Sequence, residues 1–229
     1  MKTYAINECF YSPQGEGHRA GTMNVFLRFM ACNLQCVDAS KMDRPLKGNE
    51  IDAGFFCDTD FHRGDKMTIS EVLDLVKRTD ESRAVSENGC GWVICTGGEP
   101  TLQLDAVLVG ALHGAGYKVA IETNGTRLPP AGVDWISCSP KPGSKVVLKR
   151  ANEIRVVLKA GEEPDTHGID AEHRFVSPRF RAVDASKIDE FKSGWTDLDQ
   201  EALSWCLSFI KTNPLWRISL QMHKAMGVR

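Results

Sequence analysis

The apolar positions along the chain fall into short runs, and most of these runs end in a polar or glycine-rich turn. Residues 3–10 (TYAINECF) alternate loosely and residues 24–30 (NVFLRFM) are largely apolar, so both predict strands. Further short strands are predicted at 92–95 (WVIC), 117–121, 133–138 (VDWISC), 154–158 (IRVVL), 173–176 and 216–220 (WRISL). Helical spacing marks 69–76 (ISEVLDLV), where Ser70 and Glu71 suit a helix start. It also marks 102–113, which closes near Gly114 and Gly116, and 198–210, with Leu203, Leu207 and Ile210. Strand, polar loop, helix and strand in repetition predict an α/β fold on a mostly parallel sheet. The segments TGGEP (96–100), ETNGT (122–126), SPKPG (139–143) and SPRF (177–180) each follow a predicted strand. In such folds ligands gather at the carboxyl ends of strands, so these exits are the expected site.

Two polar features sit inside this pattern. Residues 11–21 (YSPQGEGHRAG) form a turn-rich loop with Pro13, Gly15, Gly17 and Gly21, carrying Gln14, Glu16, His18 and Arg19. It is either an exposed loop or a ligand loop whose glycines let the backbone approach a flat substrate. Arg28 stands within an apolar strand, where a charge is costly unless it is paired or faces a polar cavity. It is either an edge-strand arginine with a snorkelling stem or a fork for a carboxylate.

Composition narrows the class. The chain has 229 residues, 42% of them hydrophobic, enough for one sizeable core. No repeat, low-complexity tract or linker divides it, so a single domain over 1–229 is expected, with an insertion at 37–56. The net charge of −2 and the lack of a dense Lys/Arg run argue against a nucleic-acid binder. No apolar run of signal-peptide or membrane-helix length is present, so a cytoplasmic protein without a membrane partner is expected.

In the cytosol thiols stay reduced, so clustered cysteines point to metal and scattered ones to packing. Of the eight cysteines, Cys9, Cys95 and Cys138 lie on strand-like runs and read as core, and Cys90 and Cys206 as ordinary thiols. Cys32, Cys36 and Cys57 stand apart, in CNLQC and CDT. CNLQC alone is weak evidence, because two cysteines four residues apart also occur in cores and zinc sites. TGGEP, about forty residues later at a strand end, adds much more.

Together these motifs resemble the radical S-adenosylmethionine superfamily. INExF, QGEG, an arginine four residues before the first cysteine, CDT, TGGEP, ETNGT, SPK and a terminal QxHK occur here in order. That set resembles the 7-carboxy-7-deazaguanine synthase family over nearly the whole chain, from Ile6 to Gly227. The resemblance implies a partial (β/α) barrel and a carbon–nitrogen lyase of 7-deazapurine (preQ0, queuosine) biosynthesis. The implied reaction contracts 6-carboxy-5,6,7,8-tetrahydropterin to 7-carboxy-7-deazaguanine with loss of ammonia. It implies a [4Fe–4S] cluster, S-adenosylmethionine and Mg²⁺ as cofactors. It also implies a homodimer and an electron donor such as flavodoxin or ferredoxin.

By the same resemblance Cys32, Cys36 and Cys57 match the cluster ligands and Thr59 a Mg²⁺ contact. Pro13, Gln14, Gly15, Glu16, Arg28 and Thr96 match the substrate pocket. Phe56, Asp58, Gly98, Ser139, Pro140, Lys141, Ser177, Pro178, Arg179 and Phe180 match the S-adenosylmethionine site, joined by Glu99, Thr123 and Asn124. A thiolate set of three suits such a cluster, because its fourth iron stays open for the amino and carboxylate groups of S-adenosylmethionine.

The chain departs from the family in two places. The usual spacing is Cys-x3-Cys-x2-Cys, and here it is Cys-x3-Cys-x20-Cys. A subtype that lengthens the first gap instead would place the second ligand at Gly54, which cannot ligate, so Cys36 must serve. Chain entropy allows this: lengthening a loop tenfold costs roughly 2 kcal/mol, whereas structural metal ligation is worth about 10 kcal/mol in small zinc sites. The insert, rich in charge from Asp38 to Asp52, is read as a solvated loop or short helix, or as a docking site for an electron donor. Ser177 stands where the family commonly has Gln. Two other classes compete. A structural Cys₃His zinc protein would use His62 as fourth ligand, but it leaves TGGEP and SPK without a purpose. A radical activating enzyme with a protein substrate is opposed by QGEG and Arg28, which suit a small acidic pterin.

Overall fold

The computed structural model describes residues 2–37, 39–53, 57, 59, 61, 63–86, 89–180 and 198–226. In chain order these form β1 (Tyr4–Pro13), β2 (Met23–Phe29), β3 (Gln35–Val37), β4 (Glu50–Asp52), β5 (Asp65–Met67) and α1 (Ile69–Thr79). There follow β6 (Trp92–Gly97), α2 (Ala106–Gly114), β7 (Lys118–Thr123), β8 (Trp135–Cys138), β9 (Arg150–Leu158), β10 (Asp170–Pro178), α3 (Gln200–Thr212), β11 (Trp216–Ile218) and α4 (Met222–Met226). Nine strands make one sheet in the order β11-β10-β9-β8-β7-β6-β2-β1-β5. From β2 to β11 every neighbouring pair is parallel. Only β1 runs antiparallel, to β2 and to β5. The mostly parallel α/β sheet expected from the sequence is what the chain forms.

Strand alternation sorts the side chains onto two faces. Val25, Leu27, Phe29, Val93, Cys95, Val119 and Ile121 pack outward against Val72 and Val76 of α1 and Leu108 and Leu112 of α2. Further along the sheet, Ile154, Val156, Leu158 and Val176 meet Cys206 and its neighbours on α3. The opposite face is built in rungs. Phe10, Phe26, Ile94, Ala120 and Trp135 stand in register across five strands and form an apolar floor. One pleat further on the rung is polar: Glu8 and Arg28 pair across β1 and β2, beside Thr96, and Glu122, Ser137, Glu153 and His173 align across β7 to β10.

The sheet curls around this polar rung. The loop after β1 starts near one edge, yet its Gly17 N–H donates to Ser219 Oγ beyond β11, at 2.9 Å. Its His18 N–H donates to Glu153 Oε2 on β9, at 2.8 Å. The Met222 N–H returns to the Gly15 carbonyl at 3.0 Å. A flat sheet could not bring these together, so the strands bend into an open barrel closed by one loop and the C-terminal segment.

Several local expectations shift. The helix expected over 102–113 begins only at Ala106, after a 3₁₀ turn over Pro100–Leu102. Gln103 is drawn off by backbone, accepting from the Ala5 N–H at 2.7 Å and donating to the Met30 carbonyl at 2.8 Å. Asp105 then caps α2 by accepting from the Leu108 N–H. The start of α1 is set by a Thr68/Glu71 capping box, not by Ser70. No helix separates β8 from β9 or β9 from β10, where SPKPG and the Gly161–Gly168 region interrupt any helical pattern. The insert holds a 3₁₀ turn (Ala39–Lys41) and β4, which pairs in parallel with β3 just before it, rather than a bare loop. Within it, Arg44 forks onto Glu50 at 2.7 and 2.8 Å.

Candidate active site

The cysteine loop leaves β2 through Ala31, a non-glycine residue in the left-handed region (φ 69°). The insert then closes on itself. Gln35 N–H donates to the Asn49 carbonyl (3.0 Å), Ala53 N–H to Val37 (2.9 Å) and Cys57 N–H to Cys36 (3.2 Å). The long gap therefore works as a short one: Cys57 is brought back to the backbone of Cys36. Cys32 Sγ accepts from the Leu34 N–H at 3.4 Å. Burial raises the Cys32 thiol, the Leu34 N–H and the nearby Lys141 ammonium work against that, and Glu99 and Cys57 add to it. Cys32 thus lies within electrostatic reach of TGGEP, SPK and the third cysteine.

No disulfide joins any of the eight cysteines. Burial pushes the thiols of Cys9 and Cys206 up to about 11 and that of Cys138 up to about 12, so they stay protonated. Cys206 is fully buried and belongs to the core, like Cys95 and Cys138. Among the described residues, no three His, Cys, Asp or Glu side chains converge as ligands of a single ion would. Three soft thiol donors on one clamped loop fit a multi-iron cluster in which each iron takes one thiolate.

The exit of β6 is pressed against this loop. A side chain on Gly97 (φ 136°) would meet the Phe29 carbonyl at 2.2 Å, and one on Gly98 the Ala31 carbonyl at 2.1 Å and Cys32 Cβ at 2.8 Å. Glu99 follows with its carboxylate fully buried. It accepts from Thr101 N–H (3.0 Å), Thr101 Oγ (2.6 Å), Thr123 Oγ (2.8 Å) and Asn124 N–H (2.8 Å). The carboxylate braces the exits of β6 and β7. Asn124 in turn donates to Asn33 Oδ1 (3.1 Å), and Asn33 donates to Thr126 Oγ (2.8 Å), which ties the cysteine loop to ETNGT. Gly98→Ala is expected to force the turn away from Cys32, seen as fewer irons retained per chain after reconstitution than in wild type. An iron content equal to wild type would show that the contact can yield.

The other two exits complete this end of the barrel. Ser139 N–H donates to the Thr123 carbonyl (2.8 Å), Lys141 Nζ donates to Ser139 Oγ (2.9 Å), and Pro140 between them is buried. At the end of β10, Ser177 is buried and its hydroxyl has no hydrogen-bond partner among the described residues. Such an orphaned group inside a cavity wall fits a site meant for a ligand. Pro178 follows, and Arg179 Nε donates to Asp199 Oδ2 (2.9 Å), the residue that caps α3. Phe180 bridges to Leu198 and lies under the Lys224 ammonium, 4.9 Å from the ring centre. Thr59 stays on the cysteine loop, its carbonyl 3.9 Å from Cys57 Sγ. Phe56, Asp58 and His62, also named from the sequence, lie outside the described residues, as does Gly54.

Beneath these exits lies the polar rung. Gln14 is buried and donates to Glu122 Oε1 at 3.0 Å. Glu16 Oε2 lies 3.0 Å from Arg155, whose guanidinium also contacts Glu122 and stands 3.6 Å from Glu153. Arg28 is on an interior strand, donates to Glu8 Oε1 (2.8 Å) and sits over the Phe10 ring. It is therefore a paired arginine facing the cavity, not an edge-strand one. Thr96 is its register neighbour on β6, and Pro13 ends β1 just before Gln14. Three of these groups are not singled out by the sequence pattern. Glu122 opens ETNGT, while Glu153 and Arg155 are charges within an apolar strand, the same signal that Arg28 carries.

No protein-family model matches the chain. The 7-carboxy-7-deazaguanine synthase of Bradyrhizobium diazoefficiens is 37% identical over 99% of this chain and 100% of its own length. That of Bacteroides thetaiotaomicron is 37% identical over 98% of both. That of Caulobacter vibrioides is 36% identical over 99% of both. The crystal structure of QueE from Escherichia coli superposes with a TM-score of 0.61 at 22% identity, covering 95% of this chain and 93% of that one, which shows a shared fold. With identity of this order along its whole length, the chain belongs to the 7-carboxy-7-deazaguanine synthase family.

Proposed function

We propose that the protein makes 7-carboxy-7-deazaguanine, the product its relatives are named for, from 6-carboxy-5,6,7,8-tetrahydropterin with release of ammonia, as the family resemblance implies. The observation that carries the proposal is the pairing of Cys57 with Cys36 across the long insert, which restores a compact three-thiol loop in front of TGGEP. Cys32, Cys36 and Cys57 would hold the [4Fe–4S] cluster. Gly98, Glu99, Thr123, Asn124, Ser139 to Lys141 and Ser177 to Phe180 would shape the S-adenosylmethionine site above the barrel. When bound, the cluster supplies the electron for reductive cleavage of S-adenosylmethionine and so opens radical chemistry at the pterin.

The chain's own groups do the binding and orienting. Gln14, Glu16 and Glu122 present acceptors and one amide inside the barrel, suited to the N–H edge of a pterin. Arg28 offers a cation to the substrate carboxylate, in competition with Glu8. Thr59 would lend an oxygen to Mg²⁺, a hard ion that keeps waters and pairs with substrate carboxylates. The apolar floor lies below these groups. A homodimer, a flavodoxin or ferredoxin as electron donor, and a cytoplasmic location complete the proposal. No helix of the described residues is long and apolar enough to cross a membrane.

The test is anaerobic reconstitution with iron and sulfide, followed by reductant, S-adenosylmethionine, Mg²⁺ and the carboxytetrahydropterin, with mass spectrometry of the products. The expected product is the carboxy-deazaguanine. Tightly bound zinc without iron–sulfur absorbance would replace the proposal with the structural zinc reading. Cofactor cleavage without that product would leave the substrate wrong.

A further inference from the structure

We propose that Glu153 is a positioning residue that holds the pterin loop in its binding shape. This rests on the pterin reading above. Glu153 sits on β9 with only 2% of its surface exposed, far in sequence from the loop it serves. Its Oε2 accepts from the His18 N–H at 2.8 Å and its Oε1 accepts from Ser137 Oγ at 2.7 Å. A side chain on Gly17 would land 2.2 Å from Glu153 Oε1, and Gly17 is itself left-handed (φ 72°). The loop backbone can therefore lie on the carboxylate only because that position is glycine.

A second hold comes from the other side. Gly17 N–H donates to Ser219 Oγ at 2.9 Å, the Gly15 carbonyl accepts from Met222 N–H at 3.0 Å, and a side chain on Gly15 would strike the His223 ring at 2.2 Å. The two glycines of QGEG thus face two different clamps, β9 and the C-terminal segment. Between them, Gln14 and Glu16 are aimed at Glu122 and Arg155. Loss of the Glu153 acceptor would let the loop loosen without touching the cysteines or the strand exits.

Glu153 also lies near Arg155, so a purely electrostatic role must be separated from a positioning one. Glu153→Gln does this, because its amide oxygen can still accept from His18 N–H while the charge beside Arg155 is gone. In the reconstituted enzyme, Glu153→Ala is expected to raise KM for the pterin about tenfold, the scale of one buried hydrogen bond, with kcat and iron content within about threefold of wild type. Glu153→Gln is expected to return KM to within about threefold of wild type. Hydrogen exchange at the His18 amide, followed in the protein without cofactor, should speed up in Glu153→Ala and not in Glu153→Gln. If both variants raise KM alike, the charge matters and positioning is overturned. If neither does, the loop needs no such hold and the proposal also fails. Should Glu153→Ala not fold, Glu153→Asp decides, because it keeps the charge but draws the carboxylate back from the His18 N–H: a raised KM supports the proposal and an unchanged KM overturns it. A wild-type enzyme that does not turn over the pterin would overturn the pterin reading itself, and this proposal with it.

Discussion

Replacing Cys36 by Ala is expected to reduce turnover to background and to leave reconstituted protein with little or no iron–sulfur absorbance. A structural metal site is worth about 10 kcal/mol, so one of three thiolates accounts for roughly 3 kcal/mol, or about a hundredfold in retention. No other cysteine is placed to substitute. Cys9, Cys138 and Cys206 are held as protonated thiols by burial, Cys95 is fully enclosed in the outer core, and Cys90 precedes β6, at the opposite end of that strand from TGGEP. The backbone pairing of Cys57 N–H with the carbonyl of residue 36 does not need the thiol, so the loop should keep its shape. Circular dichroism should therefore show a folded protein. A variant that retains cluster and activity would mean that a different cysteine is the second ligand.

Replacing Glu99 by Ala should be the most damaging single change to stability near the site. Four donors lose their acceptor in a buried place: two from Thr101, one from Thr123 and one from Asn124. At about 1 kcal/mol or more for each buried donor left unpaired, the loss is about 4 kcal/mol or greater. For a chain of this size that lowers Tm by about 10 °C. Glu99→Gln keeps one carbonyl oxygen and should lose about half as much. The measurement is thermal unfolding of the protein without cofactor. A Tm within about 2 °C of wild type, together with lost cofactor cleavage, would show that the carboxylate acts on the S-adenosylmethionine ammonium and not as a brace.

Much of this architecture was legible in the chain. The apolar runs marked the strands because alternate residues on each strand must meet the helices outside. The polar exits marked the ligand end because a parallel sheet sends all its carboxyl ends to one side. Arg28, a charge in an apolar strand, needs a partner, and it has one in Glu8. Glu153 and Arg155 carry the same signal on β9, but nothing local says which face of a strand points into a cavity. The split of the 102–113 helix was equally hidden, because it depends on Gln103 reaching the backbone of Ala5 and Met30 from about seventy or more residues away.

By itself the sequence determined the family, the mostly parallel α/β sheet, the three candidate cysteines and the set of strand exits. These follow from local alternation and from motifs whose residue order is their information. Only the tertiary structure decided how a gap of twenty residues can still present adjacent cysteines. The insert's β4 pairs in parallel with β3, which carries Cys36, and backbone hydrogen bonds return Cys57 to Cys36, a closure that depends on pairing and not on spacing. Only the structure decided, too, that the glycines of QGEG are there for Glu153 and His223. Those contacts join opposite edges of a curved sheet, and curvature is a property of all nine strands together.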